Sequence, residues 1–394
     1  MDRDNADILV IGAGIFGATA AVELCLRGHK VAIIDEGAHP HPLAATTDIS
    51  KVIRMEYGTD EQYMAMVEDS IVGFREWNNR FEEVLYHETG VTMFTREAME
   101  PGGFEYESYQ TLLRRGHTPE RLGTEEIARR FPAWKPGEYV DGFFHAVGGY
   151  GESGRVLARI RKWGESIGVR MIDDLVIKID VEKGRAVGVL TEKSQRLAAD
   201  HIVVAAGSWA PNLVPELVSE MKATGHPVFH LKIDDHSLFT PPVFGAFTAD
   251  VARTGWYGFP YHPLEGVIKI ANHGVGVGID PVHDAREVTV ADEQSLRHFL
   301  SFTFPALADA PIVFTRLCLY CDTRDEHLWI DHHPGIGGLT IASGGSGHGF
   351  KFAPVLGPLI ADAVESKSNV WLDKFQWRTL PPETSGEEAA RYHG

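Results

Sequence analysis

The sequence predicts an α/β chain of the α+β, two-lobe kind, in which a nucleotide-type lobe is interleaved with a lobe built on a mixed sheet. Three observations carry this. An N-terminal strand runs through a Gly-rich turn into a helix and is followed by a second strand ending on an acid. Two later apolar strands, near 201–209 and 339–343, end in small residues. Between them lies a strand-rich, aromatic stretch from about Pro227 to Pro311.

Asp7-Ile-Leu-Val-Ile-Gly12 reads as a buried strand, and Gly12-Ala-Gly14-Ile15-Phe-Gly17 opens a helical pattern running to about Leu26. The strand Val31–Ile34 ends at Asp35, some twenty residues downstream, where a ribose-binding acid belongs. Gly12 permits the tight turn, Gly14 lets backbone approach a pyrophosphate, and Gly17 allows close helix–strand packing. The helix N-terminus adds amide donors and a favourable dipole. Asp35, or Glu36 beside it, is the expected ribose partner. The GxGxxG pattern alone also suits a plain Gly-rich turn, and it does not separate NAD from FAD. Its place at residue 12, with the sheet completed much later, favours FAD in a Rossmann-like domain.

Helices are expected over about 61–81, 153–167, 293–302 and 353–365, and strands near 89–94, 142–144, 169–179, 187–191 and 201–209. Ala206, Gly207 and Trp209 close the last of these, where small residues let backbone approach a cofactor. The Gly-rich run Gly345-Ser-Gly347-His348-Gly349-Phe350-Lys351 offers amide donors to an anion or a ring edge. Residues 1–85, 146–222 and 312–380 are assigned to the nucleotide lobe and 86–145 and 223–311 to the substrate lobe. Residues 381–394, without apolar periodicity, read as a surface tail.

The 394 residues are 44% hydrophobic and 23% charged, as expected of a chain that folds throughout. The net charge of −18, with no Lys/Arg-rich stripe, disfavours a nucleic-acid partner. The first apolar run is too short for a membrane span and lacks a basic flank, which points to a cytoplasmic protein. Cys25, Cys318 and Cys321 neither form a disulfide framework nor complete a four-ligand zinc set, so no metal is expected.

Several separated motifs then coincide. The fingerprint, Ile53-Arg54-Met-Glu-Tyr-Gly58, Tyr257-Gly-Phe-Pro260, Lys269 with His273, Cys318-Leu-Tyr-Cys-Asp-Thr-Arg-Asp-Glu-His327, and Gly345 to Lys351 together resemble the monomeric sarcosine oxidase and fructosyl amino acid oxidase family, FAD-dependent amine oxidoreductases of the D-amino acid oxidase superfamily. The resemblance spans residue 7 to about 365. It implies an FAD-binding domain of the glutathione-reductase type and a flavin held covalently through Cys318. The bland reading of Cys318 is a buried core thiol, and Cys321 is a competing nucleophile. It also implies that Lys269 activates oxygen electrostatically, that Arg54 and Lys351 hold a substrate carboxylate, and that Tyr257, His273, Gly347 and His348 line the substrate pocket. Without the resemblance, Lys269 in an alternating strand would read as an outward charge and Tyr257 as core. Ser50, Lys51 and Val176 complete the expected cofactor set.

Two departures divide the substrate assignment. Lys51 stands where sarcosine oxidases carry an arginine and resembles the fructosyl branch. His273 stands where the fructosyl enzymes carry a sugar-binding glutamate. The reaction implied is hydride transfer from the carbon next to nitrogen to flavin N5, hydrolysis of the resulting imine, and reoxidation by dioxygen to hydrogen peroxide. The partners are then a small amine or amino acid and dioxygen, with a monomer favoured. Rival readings are a fructosyl amino acid oxidase, a flavin dehydrogenase with a non-oxygen acceptor, an NAD-only dehydrogenase, and a non-catalytic flavoprotein redox sensor.

Overall fold

The computed structural model describes residues 6–37, 40–384 and 386–394. Its first sheet has eight strands. At its centre, Ala6–Ile11 pairs in parallel with Val31–Asp35 on one side and Arg196–Val204 on the other, and Leu339–Ser343 and Arg170–Asp173 extend the parallel array outward. The central strands Ala6–Ile11 and Val31–Asp35 are near-continuous apolar runs, as a parallel sheet buried on both faces requires. Ile8, Val10, Ile33 and Val203 face a core shared with the helix Ile15–Leu26, while Leu9, Ile11, Ile34 and Val204 face the other layer.

Ile15–Leu26 is apolar nearly all round because it is enclosed. It packs against Ser153–Ile167 and Ala353–Val364 as well as the sheet. The approach to Ala353–Val364 is close enough that a Cβ on Gly357 would lie 2.7 Å from the Thr19 carbonyl oxygen. The helix Glu61–Phe81 is capped by Asp60, whose carboxylate accepts from the Tyr63 amide. It ends in a left-handed residue at Glu82.

A second, nine-stranded mixed sheet carries the other layer. Its spine is the long antiparallel pair Met221–Leu231 with Ile312–Thr323, in register from Met221↔Thr323 to His230↔Phe314 and shifted by one residue at Leu231↔Ile312. Ile268–Asn272 joins the free edge of Met221–Leu231, and the strands Trp256–Gly258, Ala246–Ala249, Val91–Thr95 and Asp141–His145 follow. The helix Val290–Thr303, opened by a Thr289/Asp292 capping box, covers an aromatic core around Trp134, Phe247 and Phe304. A small third sheet, Lys51–Ile53, Gly149–Gly151 and Tyr86–His87, bridges toward the first.

The expected strand over 169–179 is two strands, Arg170–Asp173 and Val176–Glu182, broken at Asp174, whose carboxylate accepts from the amides of Leu175 and Lys193. The expected surface tail over 381–394 is corrected. Glu388, Ala390 and Arg391 are 5%, 1% and 3% exposed, because Arg391 pairs with Asp322 and Glu326 inside the protein. A segment without apolar periodicity is here drawn inward by ion pairs. Ser385 lies outside the described residues.

Among the described residues no helix is long and apolar enough to cross a membrane, and no cluster of His, Cys, Asp and Glu could hold a metal ion.

Candidate active site

Two cavities meet between the sheets. The larger, about 620 Å³, runs from the N-terminal fingerprint to the long strand pair and is lined by Gly12, Gly14, Ile15, Asp35, Glu36, Val176, Ala206, Gly207, Trp209, Cys318, Gly345 and Gly349. The smaller, about 40 Å³, is lined by Arg54, Tyr257, His273, His348, Lys351 and Glu388. Lys51, Tyr320, Gly347 and Phe350 line both and form the wall they share.

The fingerprint has the geometry its glycines require. Gly12 has φ +102°, and a Cβ there would stand 2.5 Å from the Ala205 carbonyl oxygen. A Cβ on Gly17 would stand 1.9 Å from the Gly12 carbonyl oxygen, so Gly17 sits behind the turn and packs helix onto strand. Gly14 is the helix N-cap, offers no side-chain cap, and is followed by no acid in the first turn. The Ile15 amide at that end donates to Thr46 Oγ1 at 3.2 Å, a neutral partner that leaves the helix terminus favourable to an anion on the cavity side. Asp35 accepts from the Ala13 and Glu36 amides at 2.7 and 3.0 Å, bracing the turn while lining the cavity. The cavity's length, its Gly-lined helix terminus and its acid at the second strand fit a dinucleotide, and its far end reaches Cys318.

Cys318 and Cys321 lie on one strand but face opposite ways. Cys318 is on the cavity side, and the Lys51 ammonium is 3.7 Å from its sulfur. A sulfur that reacts as an anion thus has a cation beside it. Cys321 also reaches the larger cavity, but it packs in the apolar layer beside Met221 and Ser343, and burial pushes its thiol up to about 11.

Lys51 and Lys269 converge on a residue to which sequence reasoning gave no role. Asp48 Oδ2 accepts from Lys269 Nζ at 2.6 Å and from Lys51 Nζ at 3.2 Å. Burial pushes the Asp48 carboxyl up, but Lys269, Lys51 and Arg316 outweigh it and hold the group far below the usual range. Lys269 also donates to the Ser50 carbonyl at 2.5 Å and lies over the Phe259 ring. Burial pulls its ammonium down to about 8 against the opposing pull of Asp48. Lys269 and Ser50 stand behind Lys51 rather than on either cavity surface.

At the other end of the smaller cavity, Arg54 and Lys351 are both buried. Arg54 bonds the Glu56 carbonyl and lies 3.2 Å from Glu388 Oε1, while Glu388 Oε2 lies 2.5 Å from His273 Nε2. Burial raises the Glu388 carboxyl, but His273, His348 and Lys351 together with the His273 hydrogen bond hold it well below its ordinary range. Lys351 donates to Tyr57 OH at 2.9 Å, and burial followed by repulsion from Arg54 pushes its ammonium well down. His348 is held between Tyr57 OH and the Glu326 carbonyl, both at 2.9 Å, and burial lowers it to about 4.

Tyr320 is the second residue missed. Its ring stacks on His226 at 3.8 Å and fills the space where a Gly347 side chain would begin, since a Cβ there would lie 2.2 Å from it. Tyr257 pairs with Tyr320, and burial takes its hydroxyl up to about 12. Arg286, from the segment assigned to the substrate lobe, covers the larger cavity by stacking on Trp209 and bonding the Leu43 carbonyl at 3.0 Å. The Cys318-Leu-Tyr320 alternation could have signalled Tyr320, because residues two apart on a strand share a face. Nothing local marks Glu388 or Arg286.

The sequence is 27% identical over 364 residues to monomeric sarcosine oxidase of Bacillus sp. (strain B-0618), covering 90% of this chain and 91% of that protein. It is 28% identical over 414 residues to L-saccharopine oxidase of Schizosaccharomyces pombe, covering 94% and 93%. Among solved structures, fructosamine oxidase (Amadoriase II) of Aspergillus fumigatus superposes with a TM-score of 0.81 at 22% identity, covering 100% of this chain and 94% of that one, a likeness of fold. A family profile described as FAD dependent oxidoreductase matches residues 7–363, which run from the fingerprint through both cavities, and the chain belongs to that family.

Proposed function

We propose that this FAD-dependent amine oxidoreductase oxidises the carbon–nitrogen bond of a small amino acid or N-substituted amino acid. The observation that carries the reading is that two buried cations, Arg54 and Lys351, line the smaller cavity, which shares the wall of Lys51, Tyr320 and Gly347 with the larger one. FAD in the larger cavity supplies the acceptor for the hydride of the carbon next to nitrogen, and dioxygen takes up the electrons to give hydrogen peroxide.

The chain's own residues account for the rest. The forked Arg54 guanidinium and the Lys351 ammonium hold a carboxylate and so orient the amine toward the shared wall. A carboxylate arriving there supplies a counter-charge that favours the charged form of Lys351 against burial and the repulsion of Arg54. Lys51 stands at the wall with one positive charge, which disfavours a protonated amine and leaves the nitrogen lone pair free to assist C–H cleavage. Tyr257, Tyr320 and His273 close the sides and exclude bulk water. The imine formed is hydrolysed to a carbonyl compound and an amine. Lys269, behind Lys51, adds the positive field that favours one-electron reduction of dioxygen. A thioether to Cys318 is supported by the Lys51 ammonium 3.7 Å from its sulfur, whereas Cys321, which also reaches the cavity, packs against Met221 and Ser343 and is pushed up to about 11 by burial.

The decisive experiment is anaerobic mixing of the FAD-loaded enzyme with sarcosine, pipecolate, proline, longer N-alkyl amino acids and fructosyl amino acids, followed by air. Bleaching by an amino acid and peroxide release on aeration are the expected results. Bleaching without peroxide identifies a dehydrogenase, bleaching by fructosyl amino acids alone identifies the sugar-amine branch, and no bleaching across the panel overturns the reading.

A further inference from the structure

The segment 386–392 is strapped against the protein beside the smaller cavity, which it enters through Glu388. The Glu387 amide donates to the Asp325 carbonyl at 3.3 Å, and its carboxylate lies 3.0 Å from His327 Nε2. The Glu388 amide donates to Glu326 Oε2 at 3.0 Å. Beyond it, Arg391 reaches Asp322 at 2.7 Å, Glu326 at 2.9 Å and the Gly274 carbonyl at 3.1 Å, and the Tyr392 amide donates to the His273 carbonyl at 3.2 Å. Gly386 allows the strap to lie flush, because a Cβ there would stand 2.3 Å from the Glu326 carboxylate.

Between these anchors the Glu388 side chain turns inward, and its two oxygens meet Arg54 and His273. Space of about 40 Å³ remains beside it. One water needs ~10–15 Å³ on this measure, so a few waters fit and a six-heavy-atom amino acid does not. The side chain therefore occupies the cavity and also pairs with Arg54, one of its two buried cations.

We propose that Glu388 is a specificity-determining residue that acts by exchange: its carboxylate stands in for that of the substrate, and a ligand opens the site by offering Arg54 and His273 another carboxylate in its place. This rests on the reading of Arg54 as the carboxylate partner. An amine that brings no carboxylate would strip Arg54 of its counter-charge and leave a buried guanidinium bare, which is strongly unfavourable. An amino acid restores both contacts. Because Glu388 is tethered, it competes at the high effective concentration of an intramolecular ligand and weakens every carboxylate ligand by a common factor.

The test is calorimetric titration of acetate, with ethylamine as the carboxylate-free probe, into the FAD-loaded enzyme, Glu388→Gln, and a chain ending at Thr384. The acetate Kd is expected to fall about tenfold in Glu388→Gln and further in the shortened chain, and Arg54→Met in the Glu388→Gln background should abolish acetate binding. Acetate should also speed amide hydrogen exchange over 386–392 in the unaltered enzyme. An acetate Kd equal in all three proteins, or exchange that acetate leaves unchanged, overturns the exchange role while leaving the carboxylate pocket standing. Absence of acetate binding in all three overturns both. Ethylamine gaining as much as acetate shows simple unblocking and overturns the claim of specificity.

Discussion

Lys269 and Asp48 form an ion pair at 2.6 Å, with side chains 1% and 3% exposed, and the oxygen they share also receives Lys51. One buried carboxylate thus serves two ammonium groups, leaving net positive charge behind the wall between the two cavities.

Removing the Lys269 charge should affect the reaction with oxygen selectively. In Lys269→Met, reoxidation of the reduced enzyme by dioxygen should slow by about 10²-fold or more, the scale of losing one preorganised charge, with anaerobic reduction by substrate changed far less. Stopped-flow measurement of both half-reactions decides it, and equal losses would falsify the role. Because burial brings Lys269 down to about 8, its charge is present below that pH and lost above it. The oxygen rate should therefore fall between pH 7 and 9 and be flat over that range in Lys269→Met.

Asp48→Asn leaves the buried Lys269 ammonium and the partly buried Lys51 ammonium without their shared counter-charge and should destabilise the protein by about 3–5 kcal/mol in urea unfolding. The Asp48 carboxyl is held below its unfolded value, so its contribution is present above about pH 4 and lost as pH falls toward the folded value. The acid limb of the stability curve should flatten in the variant. A difference in stability that does not change between pH 7 and 3 would contradict the pairing.

The two cysteines should separate cleanly. Cys318→Ser is expected to release its flavin on acid precipitation, leaving a colourless pellet, while Cys321→Ser keeps a yellow one. The reverse pattern would assign the thioether to Cys321 and show that the Lys51 ammonium beside Cys318 does not select the reacting thiol.

Gly347→Ala should collide with the Tyr320 ring, which stands 2.2 Å from the new Cβ, at a backbone position with φ +77°. The expected cost is about 1–3 kcal/mol, together with a raised KM as the shared wall shifts. Thermal unfolding and steady-state kinetics check this, and an unchanged KM would remove Gly347 from the substrate wall.

What is legible in the linear sequence follows a physical rule. The fingerprint, the helices Glu61–Phe81 and Ser153–Ile167 and the strand Ala6–Ile11 are specified by neighbours within one element, through periodicity, a cap or a glycine. Arg54, Lys351 and Cys318 are legible through motif resemblance, and the structure brings each to a cavity wall. Asp48 escapes notice although it lies three residues from Lys51, because a carboxylate in a polar turn reads as solvated until Lys269 arrives across 221 residues of chain. Glu388 is misplaced for the same reason. Its segment has no apolar period, so composition assigns it to solvent, and only Asp322, Glu326 and Arg54 draw it in.

By itself, the sequence determined the α/β class, the dinucleotide turn and the inventory of charges available for a site. Those depend on short-range sterics and on hydrophobic periodicity, which a linear string records. Tertiary structure decided which charges meet. It set Lys51 and Lys269 on one carboxylate, put the Lys51 ammonium beside Cys318 and packed Cys321 against Met221 and Ser343, and carried Glu388 into the place between Arg54 and His273. Coulombic partners far apart in the chain become neighbours only when burial removes the water that screens them, and that removal is a property of the folded whole.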